Sequence, residues 1–242
     1  MSSEKQQQLT PRYGIPNLEM LVPWIDLPAE EDGPFWALNL MKYREVADYG
    51  DATDGKAKVS GREADNAYTP REALAGVGAK LVFVADVIRQ TGSHPTWDRI
   101  GIVKYPTRSS FMAMQLRDDF KAKHVHKDAG MEATIILAAN PVSVGAPDDA
   151  SDGTLVLRIA RMTDSQVLES VDGAVCAAEF SVEGVMLGDD RTWNAVSFDV
   201  APSDVVLDGL LAPIQGADES FSFALGNIVI DSLQASITDA NI

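Results

Sequence analysis

The chain has 242 residues, 45% of them hydrophobic, which is enough to build one large or two small folded domains. It contains no apolar run of the about eighteen residues that indicate a transmembrane helix. Its first residues lack the apolar stretch of a secretory signal, and its single cysteine, Cys176, cannot form an internal disulfide. Together these features predict a cytoplasmic protein.

The net charge of −16 is concentrated in the second part of the chain. Residues 147–242 hold 17 acidic residues but only three arginines, a net charge of −14. Such a charge repels phosphate backbones and anionic membranes, so we expect neither nucleic acid nor a membrane as a partner. All three histidines and all five tyrosines precede position 127, which places the expected chemistry in the first part.

The chain begins with an irregular stretch and a strand. Residues 1–34 are proline-rich and predict an arm that wraps the folded body. The alternation from Phe35 to Tyr43 predicts a strand with Asn39 and Tyr43 on one face and Lys42 on the other.

A polar loop and a broken helix come next. The loop over residues 44–59 is long for a compact domain, which makes it a candidate lid or binding loop. A helix is predicted to begin at Ser60, because Glu63 completes a capping box. Pro70 cannot continue that helix, so the sequence predicts two short helices or one kinked helix that ends near Gly76.

The same order of elements then appears twice. A first unit over residues 35–141 continues with strand 80–88, strand Trp97–Tyr105, a helix from Pro106, the polar stretch 117–130 and strand Ala133–Ala139. After a linker over residues 142–153, a second unit over residues 154–242 repeats the order. Its elements are a strand, a short helix capped by Thr163, a hairpin, a helix capped by Ser203 and a final strand. Trp193 takes the place of Trp97.

Strand, helix, strand, strand, helix, strand is the split pattern of a ferredoxin-like unit. Helices cover one face of each antiparallel sheet, and the other face must be covered as well. The sequence therefore predicts an α+β protein in which two fused ferredoxin-like βαββαβ units pack as a pseudo-dimeric α+β barrel. A further pairing of two chains into a homodimer is compatible with this fold.

Four segments carry a resemblance to known proteins: LNLMKYR at 38–44, SGREADNAY at 60–68, TWDRIGIVKYPTRSSFMAM at 96–114 and AKHVHKDAGME at 122–132. They resemble a bacterial family of unknown function in the dimeric α+β barrel superfamily, with the pattern LNLLRFR…GREAY…YPSR…H. The resemblance covers about residues 33–141. It implies a cavity between the sheet and its helices, or inside the closed barrel.

The superfamily implies several reactions. Its members include cofactor-free monooxygenases, muconolactone isomerases, haem-degrading enzymes and haem-dependent chlorite and aldoxime enzymes. One scaffold hosts many chemistries, so the resemblance supports the fold more than any reaction.

His124 and His126 are the most reactive-looking pair. In a helix their side chains point roughly 200° apart, so at most one faces a pocket, whereas in an extended segment both share one face. The functional interpretation is a general base or an axial haem ligand. The alternative is two solvated histidines near a helix end. We expect no metal site, because no third histidine or paired cysteine is close in the sequence.

Five further side chains are candidates for binding a small molecule. Arg62 is suited to clamp a substrate carboxylate, or is a surface arginine. Asn39 and Tyr43 interrupt an apolar face, either to line a pocket or to make structural hydrogen bonds. Lys42 reaches out from the opposite face. Tyr68 extends the polar set from the helix.

The dipeptide Trp97-Asp98 recurs as Trp193-Asn194. The two indole rings are predicted to plug the two ends of the barrel, one ring at each end. Trp97 and Asp98 also remain candidates for contact with a substrate.

Three functions are compatible with the sequence. The first is a cofactor-independent enzyme of the monooxygenase, isomerase or lyase type that acts on a small organic substrate. In it His124 or His126 moves a proton, Arg62 and Asn39 hold polar groups, and Tyr43 or Tyr68 stabilises an oxyanion. The second is a haem-binding protein of the same fold. The third is a non-catalytic module for ligand binding or assembly.

Overall fold

The architecture is one antiparallel sheet that closes into a barrel. The computed structural model describes residues 11–50, 58–68, 70–145, 153–164 and 167–239. The strands are β1 (Ile15–Pro16), β2 (Phe35–Tyr43), β3 (Lys80–Gly92), β4 (Arg99–Tyr105), β5 (Met131–Val144), β6 (Thr154–Met162), β7 (Val175–Gly188), β8 (Ala195–Ala201) and β9 (Ala217–Asp231). The α-helices are α1 (Leu18–Leu21), α2 (Gly61–Tyr68), α3 (Arg71–Gly76), α4 (Arg108–Leu116), α5 (Asp118–Gly130), α6 (Asp204–Leu210) and α7 (Leu233–Thr238), with a 3-10 turn at Val22–Ile25.

The strands follow the order β1-β7-β5-β2-β4-β3-β9-β6-β8, and an additional pairing of β7 with β8 closes the eight long strands into a ring. The first half supplies β2 to β5 and the second half β6 to β9. Within each half the order is fourth, first, third and second strand. The halves join through the pairs β3–β9 and β5–β7, so every long strand has a neighbour on both sides.

The interior of the barrel is filled by apolar side chains from both halves. Trp36, Leu38 and Leu40 point inward from β2, as its alternation predicts, and meet residues such as Phe180 and Phe198 from the second half. A void beside Trp36 is too small to hold a water molecule. The interior is therefore a packed core that leaves no room for a ligand at this place.

Strands β2, β3, β6 and β7 alternate with antiparallel neighbours, so all four finish at one end of the barrel, here called the upper end. Trp97 and Trp193 both lie there. Their ring centroids stand 6.2 and 5.0 Å from that of Phe221. The prediction of one ring at each end is wrong, because both hairpins turn at the same end. The lower end is covered by α7, where the Trp36 indole donates to Ser236 Oγ at 2.9 Å.

Helices cover the outside of the first half more fully than that of the second. The predicted break at Pro70 is confirmed by the separate helices α2 and α3. Within the polar stretch 117–130, the residues from Asp118 onward form the helix α5, which packs against α2. The backbones of α2 and α5 are in contact where Gly61 begins α2 and Gly130 ends α5. A Cβ atom on either glycine would collide with the carbonyl oxygen of the other.

The short helix predicted after β6 is absent from the described part of that segment, residues 163–164 and 167–174. These described residues form bends, a turn and irregular backbone. The carbonyl of Glu169 accepts a hydrogen bond at 3.0 Å from Arg158, which points outward from β6. A buried arginine thus satisfies a carbonyl that a helix would have satisfied internally. In the lid candidate over 44–59, residues 51–57 lie outside the described part of the chain.

The arm lies along the first half and β7. Ile15 and Pro16 pair with Gly188 and Leu187, and the backbone N–H of Thr134 donates to the Tyr13 carbonyl at 2.8 Å. The indole of Trp24 packs 5.1 Å from the ring of Phe35, between centroids.

Asp98 and Asn194 make equivalent hydrogen bonds in the two halves. The backbone N–H of Tyr43 donates to Asp98 Oδ2 at 2.7 Å, and that of Met162 donates to Asn194 Oδ1 at 2.8 Å. Their own N–H groups donate to Met41 and Ala160 at 2.9 and 3.1 Å. Asp98 therefore links the end of β2 to the turn that precedes β4, and Asn194 links the end of β6 to the turn that precedes β8.

This equivalence gives a stability prediction. Asp98→Asn is expected to change the free energy of unfolding by no more than about 0.5 kcal/mol, since an amide oxygen accepts the same bond in the second half. Asp98→Ala is expected to lower it by about 1–3 kcal/mol, because the Tyr43 N–H loses its acceptor. Urea unfolding of both variants, with Asn194→Ala as the matched change, measures this. Equal losses for asparagine and alanine would contradict it.

Candidate functional site

An open cleft of about 410 Å³ lies at the upper end of the first half. Its walls come from the end of β2, the start of α2, the residue before β4 and the start of β5. The lining residues are Lys42, Tyr43, Arg44, Glu45, Ser60, Arg62, Asp98 and Glu132. The cleft thus gathers three cations and three carboxylates around one phenol, at a concave site accessible to small molecules.

Arg62 is held at the side of this cleft. Its Nη2 donates to both carboxylate oxygens of Asp86, at 2.9 and 2.8 Å, and Arg99 and Asn227 donate to the same carboxylate. Burial alone would raise the pKa of Asp86, but these three donors outweigh it and the pKa is lowered. The predicted clamp is therefore already occupied by a carboxylate of the protein.

Arg44 has no such partner. Within the described residues no hydrogen bond or ion pair holds its guanidinium, and its Nε is buried without an acceptor. Its backbone is fixed, because its N–H donates to Gly130 at 2.8 Å and its carbonyl accepts from Gly61 at 3.0 Å. The side chain therefore enters the cleft from a rigid base.

Behind the cleft, four side chains form a cluster between the helices and the sheet, here called the buried cluster: Tyr13 and Lys127 are buried, and Tyr68 and His124 are half-buried. The hydroxyl of Tyr13 lies 3.1 Å from His124 Nε2. The Nζ of Lys127 lies 5.7 Å from the Tyr13 ring centroid and 5.4 Å from that of Tyr68. Burial lowers the pKa of Lys127, and the nearby carboxylate of Asp65 opposes this shift. Two aromatic faces thus stabilise a buried cation.

Asp65 connects this cluster to the cleft. Tyr43 is a lining residue of the cleft whose side chain is largely buried, and its hydroxyl donates to Asp65 Oδ2 at 2.8 Å. Burial and the charge of Asp65 both raise the pKa of Tyr43, so its phenol is neutral at physiological pH. The same carboxylate contributes to the raised pKa of Tyr13 and Tyr68, after burial as the main cause. A continuous set of titratable groups therefore extends from the cleft to His124.

His124 is a neutral imidazole. Burial, and to a lesser extent the charge of Lys127, lower its pKa to about 4, while Asp128 acts in the opposite direction. Its Nδ1 is buried without a hydrogen-bond partner, and its ring lies against Phe120, with 5.5 Å between centroids.

The predicted residues therefore fall into three groups. Lys42, Tyr43, Arg62 and Asp98 line the cleft, and Tyr68 and His124 belong to the buried cluster. The remaining three lie elsewhere. Asn39 donates to the Ala37 carbonyl at 2.9 Å, Trp97 is buried in the barrel, and His126 Nδ1 lies 2.9 Å from the hydroxyl of Tyr49. Because α5 is helical, the two histidines point to different surroundings, as their spacing required.

Haem does not fit at His124. The ring of His124 is enclosed by Tyr13, Tyr68 and Phe120, and neither His124 nor His126 lines the cleft. An axial ligand needs a flat hollow on its open side, and the described surroundings of His124 are filled by aromatic rings. No group of three or more potential metal ligands occurs in the described ranges.

Sequence reasoning missed Arg44, Asp65, Lys127 and Tyr13. The spacing of His124 and Lys127, like that of Asp65 and Tyr68, is three residues, which places each pair on one helix face. That signal was available, but burial of a lysine is too rare to be predicted from its type. Tyr13 lies on an arm without periodicity, and Arg44 is distinguished only by its lack of partners.

Comparison with known proteins adds little to this geometry. No family model and no curated protein matches the chain. Two solved structures, of the methylated RPA0582 protein and of the RPA0582 protein of unknown function from Rhodopseudomonas palustris, are 25% and 24% identical to it. They cover 50% and 49% of this chain and 97% of their own, with TM-scores of 0.43 and 0.41. A structure described as putative chlorite dismutase TA0507 is 10% identical and covers 81% of this chain and 96% of its own, with a TM-score of 0.40.

These likenesses are distant, and the barrel architecture rests on the strand pairing of this chain. No helix in the described ranges is long and apolar enough to cross a bilayer.

The shifted pKa of His124 gives a pH prediction. Below its usual value of 6.5 the unfolded chain protonates this residue, whereas the folded chain does so only near pH 4. Stability is therefore lost as the pH falls through this window, by about 3 kcal/mol for this group. Urea unfolding from pH 7 to 4 should show a shallower decline for His124→Gln, while the control His126→Gln declines like the wild type. Parallel curves for wild type and His124→Gln would refute a buried neutral imidazole.

Proposed function

We propose that the protein is a cofactor-independent enzyme that moves a proton on a small organic molecule bound in the cleft. The observation that supports this most is the hydrogen bond from Tyr43 to Asp65. In this proposal the neutral phenol of Tyr43 meets the ligand, and the carboxylate of Asp65 behind it accepts its hydrogen bond. Tyr43 is the candidate catalytic residue, and Asp65 acts through it.

The proton balance is simple. The phenolic oxygen of Tyr43 takes a proton from an acidic C–H of the ligand while its own proton passes to Asp65. The negative charge moves from the carboxylate to the ligand as an enolate, which Lys42 at the edge of the cleft stabilises. Its Nζ stands 3.4 Å from Asp98, a loose pairing that leaves it able to turn. Return of the proton to another carbon gives isomerisation, and loss of a leaving group gives a lyase. Oxygenation without a cofactor begins with the same carbanion.

His124 and Lys127 have supporting roles in this proposal. Neither lines the cleft. The ammonium of Lys127 balances the charge of Asp65, and His124 orients Tyr13 in the layer beneath. In this proposal a histidine therefore does not take the proton from the substrate directly, as expected from the sequence, but acts indirectly by orienting Tyr13.

A second candidate is a binding module without turnover. The specific observation in its favour is the enclosure of His124, the only histidine of the buried cluster, away from the cleft. In this alternative the cluster is a structural support and the cleft binds a ligand that leaves unchanged.

We also infer that the barrel consists of two fused ferredoxin-like units, in the manner of a dimeric α+β barrel. The same strand order in both halves and the matched bonds of Asp98 and Asn194 support this. The cytoplasm remains the proposed location. Burial raises the pKa of the half-buried Cys176 to about 11, which is typical of an unreactive thiol.

Hydrogen–deuterium exchange tests the enzymatic proposal. Carbon acids incubated with the protein in D₂O, followed by NMR, should include at least one whose exchange the wild type accelerates. Tyr43→Phe is expected to slow this exchange by about 100-fold or more, and Asp65→Asn similarly, because each breaks the relay. Tyr105→Phe, whose hydroxyl contacts Met114 in the outer core, is the control.

Equal exchange rates for Tyr43→Phe and the wild type would refute the relay. Ligands that bind in the cleft but never exchange would favour the binding module.

A further inference from the structure

We propose that Arg44 anchors a carboxylate group, so that the ligand of the cleft is a small organic monoacid. Naming this acid a substrate rests on the proposed function, whereas the binding site itself does not.

The first argument is the state of the guanidinium. The Nε of Arg44 is buried and lacks an acceptor among the described residues. A buried donor without an acceptor carries a desolvation penalty of about 1–3 kcal/mol, more when it is charged. Nε itself has no surface that a ligand can reach, but the two terminal nitrogens hold no acceptor among the described residues. The planar end of a guanidinium matches a carboxylate with two parallel hydrogen bonds.

The second argument concerns the competing carboxylates. Asp98 accepts from the Tyr43 backbone and faces Lys42, and Asp86 is engaged by Arg62 and Arg99. Glu45 and Glu132 are exposed at the rim of the cleft and make no ion pair with Arg44. Asp48 is near enough for the charge of Arg44 to help lower its pKa, but its carboxylate bonds to Arg12 at 2.7 Å and forms no ion pair with Arg44. The nearby acids are thus either engaged by another partner or beyond ion-pair distance.

The third argument sets the charge of the ligand. Lys42 and Arg44 favour one carboxylate, but Glu45 and Glu132 share the same cleft and repel a second one. A monoacid therefore suits the cleft better than a diacid, and a neutral amide cannot replace the charge.

NMR titration with butyrate tests this assignment on the full-length protein. The ¹H–¹⁵N signal of Arg44 Nε should shift on binding, and Arg44→Gln should weaken butyrate binding by about 10- to 100-fold. Arg44→Lys keeps the charge and should bind with intermediate affinity. Butyramide and succinate should bind more weakly than butyrate to the wild type.

Arg89→Gln is the control, because Arg89 forms an exposed pair with Asp208 far along the sequence from the cleft residues. Thermal unfolding of each variant shows that it is folded. Arg44 makes no side-chain hydrogen bond in the described structure, so its replacement is expected to leave the melting temperature nearly unchanged.

The outcomes separate the two proposals. Failure of butyrate to shift the Arg44 signal, equal binding of butyrate and butyramide, or unchanged binding in Arg44→Gln would overturn the anchor. Exchange that persists undiminished in Arg44→Gln also overturns the anchor but leaves the enzymatic proposal intact. Butyrate binding that depends on Arg44 supports the anchor even if no carbon acid exchanges. The lack of exchange would then count only against the enzymatic proposal.

Discussion

The pairing of sheet edges is the constraint on which the rest of the structure depends. A four-stranded antiparallel sheet has two edges with unpaired backbone groups, and each half of this chain would expose both. The pairs β3–β9 and β5–β7 remove all four edges at once. Closure turns the inner faces of the strands toward each other and fills the space between them with side chains. A ligand site must therefore lie outside the barrel wall or at its ends, which is where the cleft and the buried cluster are found.

The two halves share a topology but differ in what they carry on their outer faces. In the first half, α2 carries Asp65 and Tyr68, and α5 carries His124 and Lys127. In the second half, Arg158 bonds to Asp199 at 2.9 Å, and both side chains are buried. Ser197 and the Glu169 carbonyl complete that set, so each of these charges has its partners in place. A fully satisfied buried pair is a structural element, since nothing in it is left for a ligand.

Sequence reasoning recovered the backbone better than the side-chain partnerships. Strand alternation identified β2 with its bounds, Pro70 separated α2 from α3, and Ser203 capped α6 as expected. The sequence predicts only a polar stretch where α5 lies, because the buried face of this helix contains a histidine and a lysine. These two residues interrupt the apolar stripe that defines an amphipathic helix. The helix expected after Thr163 does not occur in the described residues 163–164 and 167–174, where the Glu169 carbonyl bonds instead to Arg158.

The candidate site shows why partners are harder to predict than elements. Arg62 was expected to hold a substrate, but Asp86 and Asn227, which complete its surroundings, lie 24 and 165 positions further along the chain. Only the closed barrel brings β9 beside β3, so no local pattern contains this contact. Lys42, Tyr43, Arg62 and Asp98 are nevertheless each candidates from the sequence, and all four border the cleft.

The contact of Trp97 and Trp193 with Phe221 makes their fluorescence sensitive to the closure of the barrel. The indole N–H groups of both are buried without acceptors, and each indole comes from a different half. If the seam between β3 and β9 separates, water reaches both rings and their fluorescence shifts to longer wavelength. The chain thus carries an intrinsic reporter of its own closure, readable without any attached dye.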